Sequence, residues 1–102
     1  MTKLVYQSAT ELAKSIREKK LSSLEVLETF LAQIAKHNPE LNAIVTLDEE
    51  NARKRAVEAD AALAKGEIWG PLHGVPITIK DAFETEGLRT TSSFKPLENY
   101  IP

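Results

Sequence analysis

The sequence predicts an α/β fold whose sheet is incomplete within this chain. Three segments carry helix signals, with apolar residues at helical spacing behind recognisable start signals. Two short runs, 43–47 and 75–80, are rich in β-branched residues and predict strands. Two strands do not make an independent sheet, since about three or more with a covered face are needed. We therefore expect residues 1–102 to form part of one domain, without an internal boundary.

Capping boxes predict where the first two helices begin. In such a box a serine oxygen and a glutamate carboxylate each accept a backbone N–H that otherwise has no partner. Ser8 with Glu11 predicts a helix over about residues 9–19, and Ser22 with Glu25 opens a second one.

The second helix is predicted to be amphipathic and to end before a proline. Pro39 cannot continue the hydrogen-bond ladder, and the cationic groups of Lys36 and His37 suit the negative end of the helix dipole. We therefore expect the helix to close at these residues, and His37 is interpreted as a helix-end residue rather than a ligand. The apolar stripe of this helix consists of Leu24, Leu27, Leu31 and Ile34, with Phe30 beside it.

A third helix is predicted after the first strand. Asp48 can cap it, with Glu49 and Glu50 in its first turn, where the dipole favours anions. Gly66 is expected to terminate it. Its inward stripe is made largely of small residues, which predicts close packing: Ala52, Ala56, Ala59 and Leu63.

Glycine and proline then predict a loop that leads into the second strand. They crowd into residues 70–76 and break any helical period. In the strand that follows, Val75, Ile77 and Ile79 share one face, and Lys80 lies on the other face near the carboxyl end. The tail, residues 81–102, is predicted to be loop with at most a short helix after Pro96.

Composition and charge exclude several classes of function. Thirteen basic and fifteen acidic residues give a net charge of -2, which offers no electrostatic footprint for nucleic acid or an anionic membrane. The absence of cysteine excludes disulfides, thiolate metal sites and a cysteine nucleophile within this chain. Residues 1–14 contain no apolar run of signal-peptide length. We expect a cytoplasmic protein that binds neither nucleic acid nor membranes.

Lys80 is the residue that could carry chemistry. A lysine at the end of an apolar strand can accept a proton if desolvation lowers the lysine pKa towards neutrality. The alternative is a lysine that reaches water at a strand terminus or pairs with the adjacent Asp81. Spacing alone favours this alternative.

The string around Lys80 resembles the lysine motif of the amidase signature family. It reads Gly-Pro-Leu-His-Gly-Val-Pro-Ile-Thr-Ile-Lys-Asp over residues 70–81. The order of elements over residues 8–102 is similar as well: a capped helix, a Ser-Ser-Leu-Glu-Val-Leu helix, a Leu-Asn-Ala strand, an alanine-rich helix and the lysine strand. The resemblance implies the N-terminal helices and first strands of an α/β/α sandwich with a mixed central sheet.

The resemblance also implies a role for Lys80. Members of this family hydrolyse amide C–N bonds through a nucleophilic serine, a second serine in a cis peptide and a strand lysine, so Lys80 would be the terminal base of the relay. Both serines and the oxyanion hole belong to a glycine- and serine-rich segment that this resemblance places beyond Pro102. We expect this chain alone to be inactive. The complete enzyme is expected to act on a small-molecule amide without a metal or organic cofactor.

Other candidate residues are interpreted as structural. Ser92 and Ser93 lack flanking glycines and follow the lysine too closely to match the family's serine loop, so they are assigned to a loop or helix cap. His73 is interpreted as a loop side chain, because the relay uses no histidine. Asp81 is expected to face away from Lys80, since a nearby carboxylate would hold an amine in its charged form. Trp69 is either a hydrophobic anchor or a surface aromatic.

Two other functions stay open. One is a non-catalytic helical interaction module, and the other is the A subunit of a glutamyl-tRNA(Gln) amidotransferase. Residues 80–85 and 87–91 look more like stand-alone amidases, because the amidotransferase chain more often has asparagine where Ala82 stands. Nothing in these residues indicates the substrate's acyl or amine group, or the oligomeric state.

Overall fold

The computed structural model describes residues 3–102, which form a layer of three helices followed by a long irregular segment. Helix α1 spans Ala9–Arg17, α2 spans Ser23–Leu41 and α3 spans Glu49–Ala64. Short 3-10 turns lie at Leu4–Tyr6 and Lys95–Leu97. The helical part of the predicted fold is therefore confirmed. Among the described residues, no helix has the length and apolar character needed to cross a membrane.

Both predicted capping boxes are present. At α1, the Glu11 N–H donates to Ser8 Oγ over 3.1 Å, and the Ser8 N–H donates to Glu11 Oε2 over 3.0 Å. At α2, the Glu25 N–H donates to Ser22 Oγ over 3.0 Å, and the Ser22 N–H donates to Glu25 Oε2 over 3.2 Å. These local bonds explain why both helices begin where the sequence predicts.

Helix α2 passes through Pro39, so its predicted end at Lys36 and His37 is wrong. The proline lies in the last turn, where its missing N–H interrupts the ladder at only one place. Asn42 follows in the left-handed region with φ 49°, and its N–H donates to the Asn38 carbonyl over 2.7 Å. His37 is therefore an exposed residue inside the helix.

Neither predicted strand pairs with a neighbour within residues 3–102. In the first run, the Asn38 side chain satisfies both backbone groups of Ile44: Oδ1 accepts its N–H over 2.9 Å, and Nδ2 donates to its carbonyl over 3.0 Å. The amide side chain thus takes the place of a neighbouring strand. Residues 75–80 have no regular secondary structure. The sheet and the α/β/α sandwich accordingly remain predictions.

Helix α3 has the predicted position but not the predicted cap. Asp48 precedes the helix without a side-chain capping bond, and its Oδ1 instead accepts from Asn51 Nδ2 over 3.0 Å. At the other end, Gly66 has φ 82° and its N–H donates to the Leu63 carbonyl over 2.9 Å. The predicted terminator is therefore confirmed.

The core lies between the three helices. Ile16 of α1 and Val26 of α2 are fully buried, and burial of such a side chain stabilises a fold by roughly 1.5–3 kcal/mol. Val75, at the start of the second predicted strand, packs against the same cluster. The face of α3 that was predicted to carry small residues is also buried, and it includes Ala56 and Ala59. These small side chains allow α2 to approach closely.

Candidate functional site

Asp60 of α3 completes the N-terminus of α2. Its Oδ1 accepts the Ser23 N–H over 2.7 Å, and its Oδ2 accepts the Leu24 N–H over 3.1 Å. Together with the capping box, these bonds give partners to the N–H groups of residues 22–25, which a helix cannot satisfy by itself. Sequence analysis missed Asp60, because Ser23 lies 37 residues earlier in the chain and no local pattern joins them.

Ser23 links this helix start to the segment that carries Lys80. Its side chain is only 3% exposed, and its Oγ donates to the Gly74 carbonyl over 2.6 Å. Gly74 has φ 81°, a left-handed conformation that favours glycine. A Cβ at this position would lie 3.1 Å from Ser23 Cβ and 3.2 Å from Ile16 Cγ2. The helices and the lysine segment therefore meet at a point where both the backbone conformation and the close contacts favour glycine.

His73 fastens the same segment to α3. The Trp69 N–H donates to Nδ1 over 2.9 Å, and Nε2 lies 2.8 Å from the Ala59 carbonyl. Because Nδ1 accepts, Nε2 must carry the proton and donate, which assigns the neutral tautomer. The ring is buried and both nitrogens are engaged by backbone groups, in keeping with the interpretation of a structural loop residue.

Trp69 lies partly at the surface, where a cation covers it. The indole is 45% exposed, and the Arg55 guanidinium lies 4.1 Å from its ring centroid. Such a contact contributes about 0.5–1 kcal/mol at an exposed site. The Trp69 ring also lies 4.8 Å from that of His73, so it shields the histidine bridge.

Lys80 is exposed at the end of the lysine segment. Its carbonyl accepts the Phe83 N–H over 3.0 Å, which makes a tight turn. Within residues 3–102 its side chain takes part in no ion pair. The pairing of Lys80 with Asp81 that the sequence allowed is therefore not observed.

Asp81 is instead held by Thr91 and Ser92. The Thr91 N–H donates to Asp81 Oδ1 over 2.9 Å, the Thr91 hydroxyl donates to Oδ2, and the Ser92 N–H donates to the Asp81 carbonyl over 2.8 Å. We call this set of three bonds the Asp81 clamp. The Thr91 hydroxyl and then its N–H lower the pKa of the Asp81 carboxyl, and Arg89 adds a favourable charge. The carboxylate is thus engaged by partners other than Lys80, as expected for a structural residue.

Ser92 and Ser93 belong to the loop that completes this clamp. Both are exposed and have φ values of 53° and 55°, in the left-handed region. The Ser93 N–H donates to the Thr91 hydroxyl over 3.3 Å. These contacts agree with the loop role that the sequence indicated.

The family comparison covers most of the elements that surround Lys80. The family model named Amidase matches residues 25–102, which include nearly all of α2, the whole of α3, the lysine motif and the Asp81 clamp. The chain belongs to the amidase signature family. The resemblance of residues 70–81 to the lysine motif of that family is confirmed.

The relatives of this chain include amidotransferase subunits and an acylamidase. The chain is 46% identical to the A subunit of the glutamyl-tRNA(Gln) amidotransferase of Carboxydothermus hydrogenoformans, over 97% of this chain and 20% of the relative. It is 42% identical to an acylamidase of Rhodococcus erythropolis, over 96% of this chain and 20% of the relative. The corresponding A subunit from Neorickettsia sennetsu is 38% identical over 100% of this chain and 21% of the relative.

The chain thus spans about one fifth of the length of these relatives. The two kinds of relative have similar identities to it, 46% and 42%.

Proposed function

We propose that the complete protein hydrolyses an amide C–N bond through a serine, cis-serine and lysine relay, with Lys80 as the terminal base. The observation that carries the proposal is the family match, which includes the entire lysine motif, residues 70–81. Both serines and the oxyanion hole would come from residues outside this chain. The chain alone is therefore expected to lack activity.

The chemistry requires a base because an unperturbed serine hydroxyl is a poor nucleophile. In this proposal the neutral amine of Lys80 takes a proton through the second serine as the first serine attacks the amide carbonyl. It then returns the proton to the leaving amine. An anionic partner would favour the charged amine, and the neighbouring carboxylate of Asp81 is bound by Thr91 instead. The Asp81 carboxylate therefore does not form an ion pair with Lys80 within the described residues.

Exposed apolar side chains support this proposal over a self-sufficient helical module. Ile77 is 73% exposed, Ile79 is 54% exposed and Phe83 is 64% exposed. The two isoleucines precede Lys80 in the sequence and the phenylalanine follows it. A stable module without further partners would bury such residues, because each buried aliphatic or aromatic side chain contributes about 1.5–3 kcal/mol. Their exposure is what we expect of a surface that further amidase residues cover.

The test compares this chain with a version extended through the glycine- and serine-rich segment. Both are assayed with an aryl amide and a serine-directed phosphonate label. The extended protein should hydrolyse the amide and take up the label, and Lys80→Ala should abolish turnover. Lys65→Ala is the matched control, since Lys65 is an exposed lysine at the end of α3, outside the lysine motif. Hydrolysis by the short chain, or full turnover by the Lys80→Ala variant, would refute the proposal.

A second candidate is the A subunit of a glutamyl-tRNA(Gln) amidotransferase, because relatives with this name share 38–46% identity with the chain. Such a protein would release ammonia from glutamine in a manner that depends on its partner subunits. Ammonia release from glutamine should therefore be measured with and without those partners. Partner-dependent release would select this candidate, whereas aryl amide hydrolysis by the purified protein alone would select a stand-alone amidase.

A further inference from the structure

We infer that Thr91 is a positioning residue for Lys80 and acts through the carboxylate of Asp81. The inference rests on the proposed function, in which Lys80 is the base. Thr91 itself is not expected to touch the substrate. Its role would be to hold the backbone next to the lysine in one arrangement.

Residue 81 is fastened by both its side chain and its backbone. Thr91 supplies an N–H and a hydroxyl to the two carboxylate oxygens, so the plane of the carboxylate is defined by two bonds. The Ser92 N–H donates to the backbone carbonyl of Asp81. Because one planar peptide joins Lys80 to Asp81, the clamp also restricts the direction in which the lysine leaves the backbone.

The other end of the lysine segment is fastened independently. His73 is bonded to the Ala59 carbonyl of α3, and the Gly74 carbonyl accepts from Ser23 of α2. Between these anchors and the clamp, residues 75–80 make no strand pairing within the described part of the chain. Lys80 itself is held only through its carbonyl, which accepts the Phe83 N–H, and the Asp81 clamp restrains the next residue; Thr91 provides two of the three bonds of the clamp.

The Thr91 hydroxyl is the part of the clamp that a substitution can remove with little change of shape. Thr91→Val keeps the backbone N–H but loses the donor to Oδ2, together with the acceptor of the Ser93 N–H, and the carboxylate is then free to rotate. A displacement of about 1 Å in a catalytic group can cost on the order of 10²-fold in rate. Since Thr91 is not expected to touch the substrate, the loss should appear in kcat and not in KM.

The experiment measures amide hydrolysis by the complete protein with Thr91→Val, Thr91→Ser and Thr90→Val. We expect Thr91→Val to lower kcat by about 10–100-fold with KM changed by less than about twofold. Thr91→Ser retains the hydroxyl and should restore most of the rate. Thr90→Val is the matched control, because the Thr90 hydroxyl donates to the Leu88 carbonyl over 2.9 Å and not to Asp81.

Asp81→Ala serves as a second variant if Thr91→Val does not fold. It removes both oxygens that accept from Thr91, so at least the same fall in kcat is expected. An unchanged kcat in the folded variants, or a Thr91→Ser enzyme as slow as Thr91→Val, would overturn the positioning role. Equal losses in Thr90→Val would overturn it as well, since they would indicate a general loosening of the loop.

The Lys80→Ala variant separates the two proposals. If Lys80→Ala keeps full turnover, the proposed relay itself is wrong. If Lys80→Ala is inactive while Thr91→Val turns over normally, the relay stands and only the role of Thr91 is refuted.

Discussion

Replacing Asp60 with alanine should destabilise the helical layer by about 2–4 kcal/mol. The substitution removes the acceptor of two backbone N–H groups at the start of α2, those of Ser23 and Leu24. A hydrogen bond to a charged group contributes about 1.5–3 kcal/mol. Asp60 is half-buried, so water can replace part of each bond, and about 1–2 kcal/mol for each of the two gives the total.

Urea unfolding followed by the helical circular dichroism signal would measure this change. Linear extrapolation gives the free energy of unfolding for each variant, and the slope should stay the same if both unfold to the same extent. Asp60→Asn is expected to fall between the wild type and Asp60→Ala, because its amide oxygen can still accept one N–H.

Glu58→Ala is the matched control for Asp60→Ala. Glu58 lies on the same helix and forms a surface ion pair with Arg55 over 3.0 Å, a type of contact that contributes about 0–1 kcal/mol. If Asp60→Ala lowers the free energy of unfolding no more than Glu58→Ala does, then Asp60 does not act as the cap inferred from its bonds.

Two further predictions concern the lysine segment. Gly74→Ala should lower the free energy of unfolding in urea by about 2–4 kcal/mol. The left-handed conformation costs a side chain about 1–2 kcal/mol, and the close contact with Ser23 adds about 1–2 kcal/mol. A decrease below about 0.5 kcal/mol would contradict the close approach. The folded pKa of Asp81 is lowered from the ordinary value of 3.8, so the clamp contributes stability above that pH and loses it as the pH falls through the lowered pKa. The Thr91 amide resonance should shift over this acid range in the wild type and stay unchanged in Asp81→Asn; equal shifts in both proteins would argue against the clamp.

The starts of α1 and α2 could be predicted from the sequence because their signals are local. In each capping box the serine and the glutamate are three residues apart, and their bonds form as soon as the turn does. The spacing of the apolar residues likewise indicated the buried face of α3 and part of that of α2, although the fully buried Val26 lies outside the predicted stripe. These features do not depend on distant parts of the chain.

The features that sequence analysis missed depend on tertiary contacts. Asp60 lies far along the chain from the helix that it caps, so no spacing rule could connect the two. Pro39 indicated a helix end, but Asn38 and Asn42 organise the turn beyond it and the helix continues. The run around Ile44 has the composition of a strand, yet an asparagine side chain occupies its backbone groups.

The role proposed for Lys80 came from the resemblance of the motif and not from its spacing. Thr91, by contrast, could have been noticed as a hydroxyl residue in the tail, but no sequence pattern indicated that it would bind Asp81. Their hydrogen bonds join residues ten apart through a loop without periodicity.

The contact between Ser23 and Gly74 restricts how this sequence can vary. A Cβ at position 74 would press on the Ser23 side chain, and position 23 supplies a hydroxyl to the carbonyl of residue 74. The left-handed φ of residue 74 disfavours any side chain there whatever stands at position 23, so a change at one position cannot be compensated at the other. Two positions 51 residues apart are therefore expected to stay constant together across homologues, although neither of them takes part in the proposed chemistry.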